Sequence, residues 1–274
     1  MNLGIPEALD YVFERMCAIL ESADIAYVKW DMNRSFTDAR DAVTYHKHVL
    51  GVYELYERLT ARFPNLFIEG CASGGGRFDP AILHYSPMIW TSDNTDAYVR
   101  AKIQYSTSLC YPLQTMSNHV SVSPNLQTGR SMPMQTRGAI ASLGSLGYEL
   151  NLAHETEENR KEVAKQTQAY CKDAKLILTG DLYRLRNPYT DEDFSFLVLS
   201  EDKKEGYFVY LRKFAKSYLP VRKVRFKGLD LGAVYEIEEY GERYTGAELC
   251  LRGIELKGLP AGDFATQTLH LRTV

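Results

Sequence analysis

The chain has 274 residues and a mass of 31.2 kDa; 45% of the residues are hydrophobic, 24% are charged, and the formal net charge is −3. That balance excludes a disordered, collagen-like or fibrous chain and argues against a dominant nucleic-acid surface. The length allows one large domain or two smaller ones, and a complete eight-fold (β/α) barrel alone would take about 250 residues.

After Pro6, residues Leu9, Val12, Phe13, Met16, Ile19 and Leu20 recur at helical spacing. An apolar run over 25–30 ends in Asp31-Met32-Asn33-Arg34. A second helix is predicted over about 44–62, with Tyr45, Val49, Val52, Tyr56 and Leu59 on one face and Pro64 beyond its end. Leu66-Phe67-Ile68 ends at Glu69-Gly70-Cys71, and Met88-Ile89-Trp90 ends at Thr91-Ser92-Asp93. A helix starts at Thr95 or Asp96 and runs towards Leu113. A strand over 116–122, a helix over 134–141, a short strand near Tyr148-Glu149-Leu150 and a helix over 156–174 complete the series. Short buried strands alternating with helices predict a parallel α/β architecture. Five such strands are counted, and their carboxyl ends carry Asp31, Glu69, Asp93, Asn118/His119 and Glu149, where a barrel enzyme keeps its site.

The texture changes near Gly180. Runs such as Phe194-Ser195-Phe196-Leu197-Val198 and Tyr207-Phe208-Val209-Tyr210, punctuated by glycines, predict an antiparallel β-sandwich. The expected division is therefore 1–179, α/β, followed by 180–274, all-β.

No stretch approaches the ~18 apolar residues of a membrane helix. Met1-Asn2-Leu3-Gly4-Ile5-Pro6 lacks a basic n-region and an apolar h-region, so no secretory signal is expected. Cys17, Cys71, Cys110, Cys171 and Cys250 are scattered without C-x-x-C spacing, and no H-E-x-x-H occurs. His46 and His48 read as a solvated helix face. These features predict a reduced, cytoplasmic chain with no metal and no cofactor.

Three segments could carry chemistry. In Lys29-Trp30-Asp31-Met32-Asn33-Arg34, strand alternation puts Lys29 on the face of Asp31, where an ammonium favours the ionised carboxylate that a nucleophile needs. A salt-bridged strand end is the plainer reading of an arbitrary aspartate there. In 69–79, glycines after Glu69 let backbone approach a ligand closely. A phosphate cradle is the rival, but G-x-x-x-x-G-K-[ST] is absent and Arg77 does not replace it. In 90–96, Asp96 or Thr95 reads as a helix cap, which leaves Asp93 as the acid/base candidate.

Taken together, K-W-D-M-N-R, the C-x-S-G-G-G-R-F-D segment and W-T-S-D-N-T-D-A resemble the family 36 glycoside hydrolases, the bacterial α-galactosidases. Ser117-Asn118-His119-Val120-Ser121, Gln127-Thr128-Gly129-Arg130, Gly147-Tyr148-Glu149-Leu150 and Gly246-Ala247-Glu248-Leu249 also fit, so the resemblance covers nearly the whole chain. It implies the C-terminal five βα units of a TIM (β/α)8 barrel followed by the C-terminal β-sandwich. It also implies retaining hydrolysis of terminal α-D-galactosyl residues from oligosaccharides of the melibiose and raffinose type. Asp31 takes the place of the family nucleophile and Asp93 that of the acid/base. Lys29, Asn33, Cys71 and Ser73 match positions near galactose in the −1 subsite. The family often has glycine where Ser73 stands, and the segment between Arg34 and Tyr45 is shorter than in many members.

By the same resemblance the strand bearing Asp31 is the fourth of the barrel. The expectation is then a chain entered midway, without the first three strands or the N-terminal sandwich, and prone to associate as a homo-oligomer or through its barrel edges. The expected partner is an α-galactoside, with no nucleic acid and no membrane. The alternatives are a family member inactive alone, serving as an interaction or folding fragment, or an α-N-acetylgalactosaminidase or transglycosylase of the same superfamily.

Overall fold

Pro6 opens α1 (Pro6–Leu20), where its missing N–H costs no hydrogen bond. The computed structural model describes residues 1–34, 36, 37, 39, 41–217 and 223–274. They form two compact units, Met1–Asp93 and Asn94–Val274.

In the first unit, α1 is followed by β1 (Tyr27–Trp30), α2 (Ala42–Arg62), β2 (Phe67–Gly70), α3 (Pro80–Tyr85) and β3 (Met88–Trp90). The strands are parallel, with β2 in the middle: Lys29 faces Glu69 and Trp30 faces Gly70, while Gly70 faces Ile89 on the other side. Asp41 caps α2 by accepting the Thr44 N–H at 2.8 Å, and Asp79 caps α3. Leu9, Leu55, Leu59, Ile68, Ile82 and Ile89 share one core.

The buried stripe of α2 is Val52, Leu55, Tyr56 and Leu59, whereas Tyr45 and Val49 stay exposed. The helix meets the N-terminal segment at Gly51, where a Cβ would stand 2.0 Å from the Leu3 carbonyl oxygen, and it is buried only from that turn onward. His46 is exposed as predicted. His48 instead turns inward, accepts the Leu3 N–H at Nδ1 (3.2 Å) and stacks on Phe36. The short segment between Arg34 and Tyr45 includes Ser35, Asp38 and Arg40, which lie outside the described residues.

The second unit opens with α4 (Ala97–Thr107), β4 (Met116–Ser121), α5 (Met134–Ala141), β5 (Ser145–Glu149) and α6 (Glu157–Thr179). β4 and β5 are parallel, with His119 opposite Gly147. α4 stops six residues short of Leu113 because Pro112 can neither donate a helical hydrogen bond nor let Tyr111 settle into α geometry. From Asp181 the chain is all-β: β6 (Asp181–Arg186), β7 (Asp193–Leu199), β8 (Glu205–Arg212), β9 (Lys223–Val224), β10 (Val234–Ile237), β11 (Glu242–Thr245), β12 (Ile254–Glu255) and β13 (Ala265–Thr273). Six of these strands form an antiparallel sheet in the order β11-β10-β13-β8-β7-β6, while β12 and β9 make a separate ribbon.

Both faces of the six-stranded sheet are covered. Leu197, Leu199, Phe208 and Leu269 pack with Val224 and Ile254 of the ribbon. Phe194, Phe196, Val209 and Leu211 pack with Ala101, Ile140 and Ile177 of the three helices. β7 is buried along its whole length for this reason, and its apolar run from Phe196 to Leu199 replaces the alternation of a half-exposed strand. The change of texture near Gly180 is the switch from α6 to β6. The packing units divide elsewhere, between Asp93 and Asn94, because α4, α5 and α6 share the core of the sheet.

One ionic clamp joins α6 to the sheet. His270 of β13 places Nδ1 2.5 Å from Glu239 Oε1 and Nε2 3.0 Å from Asp173 Oδ2 of α6. Hydrogen bonds to Asp173 and then Glu239 raise its pKa to about 10 against the opposing effect of burial. The raised folded-state value means the clamp is fully stabilising below the unfolded pKa of ~6.5 and is lost as pH rises through about 10. The variant His270→Gln is expected to cost about 1–2 kcal/mol at pH 6, from charge-assisted hydrogen bonds. Thermal melts of the two proteins across pH should converge above pH 10; a constant gap would contradict the clamp.

Candidate active site

Asp31 is the first residue beyond β1, and polar groups of its own turn and of the loop after β2 favour its charged form. The Met32 N–H donates to Oδ1 at 2.8 Å. The Asn33 side chain, the Cys71 thiol and the Ser73 N–H also favour the charged carboxylate. Desolvation pushes the pKa of Asp31 up, but the bonds from Cys71, Asn33, Met32 and Ser73 outweigh it and hold the carboxyl below its ordinary range. Burial lifts Cys71 to about 11, so its thiol is a protonated donor at neutral pH. The sequence assigns the ionising role to Lys29, whereas the structure gives it to these hydrogen bonds. The ammonium of Lys29 pairs with Glu69, Nζ to Oε1 at 3.8 Å, and lies 4.9 Å from the centre of the Trp90 ring.

The loop after β2 is shaped by two left-handed residues, Ser73 (φ 48°) and Gly74 (φ 84°). A Cβ on Gly74 would stand 2.7 Å from Ser92 Cα, so glycine lets this loop lie against the segment that carries Asp93. Ser73 is strained there, and its conformation presents the N–H to Asp31. Ser73→Gly should relieve the strain and raise stability by up to about 1 kcal/mol, the relief being partly offset by unfolded-chain entropy. Chemical denaturation checks this; a destabilised variant would show that the serine side chain matters more than the strain.

The guanidinium of Arg77 points into the fold. Its Nη2 donates to the carbonyls of Cys71 (2.7 Å) and Trp30 (3.2 Å), tying the ends of β1 and β2 together rather than facing a phosphate.

Asp93 is exposed, three residues beyond β3, and accepts the Trp90 indole N–H at 3.1 Å. Because β2 separates β1 from β3, Asp31 and Asp93 belong to alternate strands, not adjacent ones, with backbones about 10 Å apart at two strand spacings. Asp96 is buried and caps α4, bonded to the Tyr98 N–H (2.9 Å), Thr128 Oγ1 (2.5 Å) and Arg130. It is a structural residue, as its position before a helix predicts.

The structure thus brings Asn33, Cys71 and Ser73 onto Asp31, with Lys29 one strand alternation away. Sequence reasoning gave no role to Trp90 or Glu69 in holding the site. A carboxylate inside a buried strand was the available signal for Glu69. A cavity of about 650 Å³ opens beside Asp31 and is walled by Trp30, Arg34, Phe36, His48 and Arg77. In the second unit, Ser117, His119 and Glu149 stand in a row, with 3.3 Å from Ser117 Oγ to His119 Nε2 and 3.3 Å from Nδ1 to Glu149 Oε2. The order is inverted for nucleophilic catalysis: the serine is buried and the carboxylate exposed. Among the described residues, no group of three or more His, Cys, Asp or Glu could hold a metal ion, and no helix is long and apolar enough to cross a membrane.

The chain is similar to known proteins in sequence and fold. Residues 1–180 match the Melibiase family model, and residues 193–271 match the Glycosyl hydrolase family 36 C-terminal domain. The chain is 44% identical to a bifunctional α-galactosidase/sucrose kinase, AgaSK, of Mediterraneibacter gnavus over 93% of its length and 27% of that protein's. It is 42% identical to α-galactosidase AgaA of Geobacillus stearothermophilus over 98% of its length and 38% of that protein's. The galactosidase domain of AgaSK superposes with a TM-score of 0.97 at 40% identity, over 100% of this chain and 38% of that one. A variant of AgaA in complex with raffinose superposes with a TM-score of 0.95 at 39% identity, over 100% of this chain and 39% of that one. The chain therefore spans between about a quarter and two fifths of the length of these relatives. With both matched segments in order, and with the parallel and antiparallel sheets they accompany, the chain belongs to the melibiase family, within glycoside hydrolase family 36.

Proposed function

We propose that the chain carries the catalytic pair of an α-galactosidase acting by retaining double displacement. Asp31 attacks the anomeric carbon as the glycosidic C–O bond breaks, and Asp93 protonates the leaving oxygen. Asp93 then takes a proton from water, whose oxygen displaces Asp31 and frees galactose with retained configuration. The observation that carries this reading is the Met32 N–H bond to Asp31 at 2.8 Å, with Cys71, Asn33 and Ser73 also holding its carboxyl below the ordinary range, which keeps a nucleophilic carboxylate ionised. A retaining pair works at about 5–5.5 Å between carboxyl groups, so the two side chains would lean towards each other over the loop after β2.

Lys29, Asn33, Cys71 and Ser73 line the −1 subsite in this proposal. The substrate class is a terminal α-D-galactosyl residue of a raffinose-type oligosaccharide, the ligand class of the AgaA complexes with raffinose and stachyose. The proposal includes residues 1–179 as five βα units of a barrel and 180–274 as a C-terminal sandwich whose second layer is the β9–β12 ribbon. A reducing, cytoplasmic setting accords with five free cysteines. No cofactor enters the chemistry.

A second reading is favoured by β1, which among the described residues pairs only with β2 and whose first residue, Tyr27, is exposed. Such an edge can take a further strand, so the working site would be completed by association with another chain. Hydrolysis of a chromogenic α-galactoside over a dilution series tests both. Activity proportional to concentration supports a self-sufficient site, and specific activity that falls on dilution supports association. No activity at any concentration contradicts both.

A further inference from the structure

The most conspicuous group without a part in this chemistry is Glu69. Its side chain is 1% exposed, in the middle strand of the first unit, where an apolar residue would meet no desolvation cost. The parallel register of β1 and β2 sets Glu69 opposite Lys29. The Tyr27 hydroxyl, two residues before Lys29 on β1, donates to Oε2. The other oxygen, Oε1, is buried without a hydrogen bond among the described residues, and 3.8 Å from it stands Lys29 Nζ. The same ammonium lies over Trp90, whose indole N–H holds Asp93, and its field reaches Cys71, which holds Asp31. Lys29 is thus fixed from below by a carboxylate and from the side by an aromatic face, between the supports of both aspartates.

We propose that Glu69 is a positioning residue: its buried carboxylate aims the Lys29 ammonium at a hydroxyl of the bound sugar. This rests on the galactoside reading of the site. A carboxylate serving packing alone would gain nothing from holding one oxygen towards a partly exposed lysine, whereas a sugar hydroxyl is the hydrogen-bond acceptor that an anchored ammonium suits. Glu69→Gln keeps the shape and can still accept the Tyr27 hydroxyl, but it removes the charge that anchors Lys29.

The test is a double-mutant cycle of Glu69→Gln and Lys29→Met in the full chain, read by calorimetric binding of 1-deoxygalactonojirimycin, together with acetic anhydride labelling of Lys29 relative to the exposed Lys172. Ile68→Val, which loosens the same core without touching the pair, is the stability control. The expected result is binding about tenfold weaker in either single variant and no weaker in the double than in the singles, with the Lys29 labelling ratio at least threefold higher in Glu69→Gln and unchanged in Ile68→Val. Unaltered binding in Glu69→Gln, additive losses in the double variant, or an equal labelling rise in Ile68→Val would overturn the proposal and leave Glu69 a packing residue. A wild-type chain that binds no imino sugar contradicts the galactoside reading instead, and the labelling ratio then decides separately whether Glu69 holds Lys29.

Discussion

Asp31→Asn is expected to lower hydrolysis of a chromogenic α-galactoside by roughly 10⁴-fold or more in kcat, because an amide cannot form the glycosyl ester on which both steps depend. The donors that hold the carboxylate should still bind the neutral amide in part, so the variant folds and the loss belongs to chemistry. The pH dependence carries the same signature. Asp31 has its pKa lowered, so the ionised form persists below the usual carboxylate range and the acid limb of the profile lies at unusually low pH. The linked stability has the same sign: it is present above the unfolded pKa of ~3.9 and lost as pH falls through the folded value. An Asp31→Asn variant that retains a tenth of wild-type turnover, or an acid limb at an ordinary carboxylate pKa, would place the nucleophile elsewhere.

Asp96→Ala is expected to be the most damaging carboxylate change for stability, at about 3 kcal/mol. Asp96 is 2% exposed and does three things at once. It caps α4 through the Tyr98 N–H, accepts the Thr128 hydroxyl, and pairs with Arg130, whose guanidinium also lies 4.7 Å from the centre of the Tyr98 ring. Loss of a cap costs about 1 kcal/mol, and breaking a buried ion pair costs about 3–5 kcal/mol. The second cost is reduced here because Arg130 is partly exposed and can rehydrate. Denaturant midpoints for Asp96→Ala and Asp96→Asn separate these contributions, since asparagine keeps the cap and loses the charge. A loss below about 1 kcal/mol for Asp96→Ala would show that Arg130 and Thr128 contribute nothing beyond the cap.

Much of this was legible in the residues. The helix over 134–141 lies where its spacing puts it, and so does the strand that begins at Met116, because local apolar periodicity and long-range packing agree there. Asp93 and Asp96 were separable by position alone, since a carboxylate immediately before a helix is bound to be drawn to free N–H groups. Spacing failed where tertiary contact decides. Tyr45 and Val49 fit the apolar stripe of α2, but the helix is buried only from Gly51 onward. The partner of Lys29 was misread for a related reason: alternation along one strand shows which face a side chain shares, and only the register with β2 shows that Glu69 lies opposite. The thiol of Cys71 as a donor to Asp31 depends on a loop folded back by a left-handed Ser73, which no periodicity announces.

The covalent step itself is the most direct test. Incubating the chain with 5-fluoro-α-galactosyl fluoride, a reagent whose fluoride leaves readily while the second step is slowed, should leave one galactosyl adduct on the proteolytic peptide that contains Asp31. Mass spectrometry should locate the adduct at that residue and find none in Asp31→Asn. An adduct on Asp93 or on any other residue, or none at saturating reagent, would contradict Asp31 as the nucleophile of a retaining galactosidase.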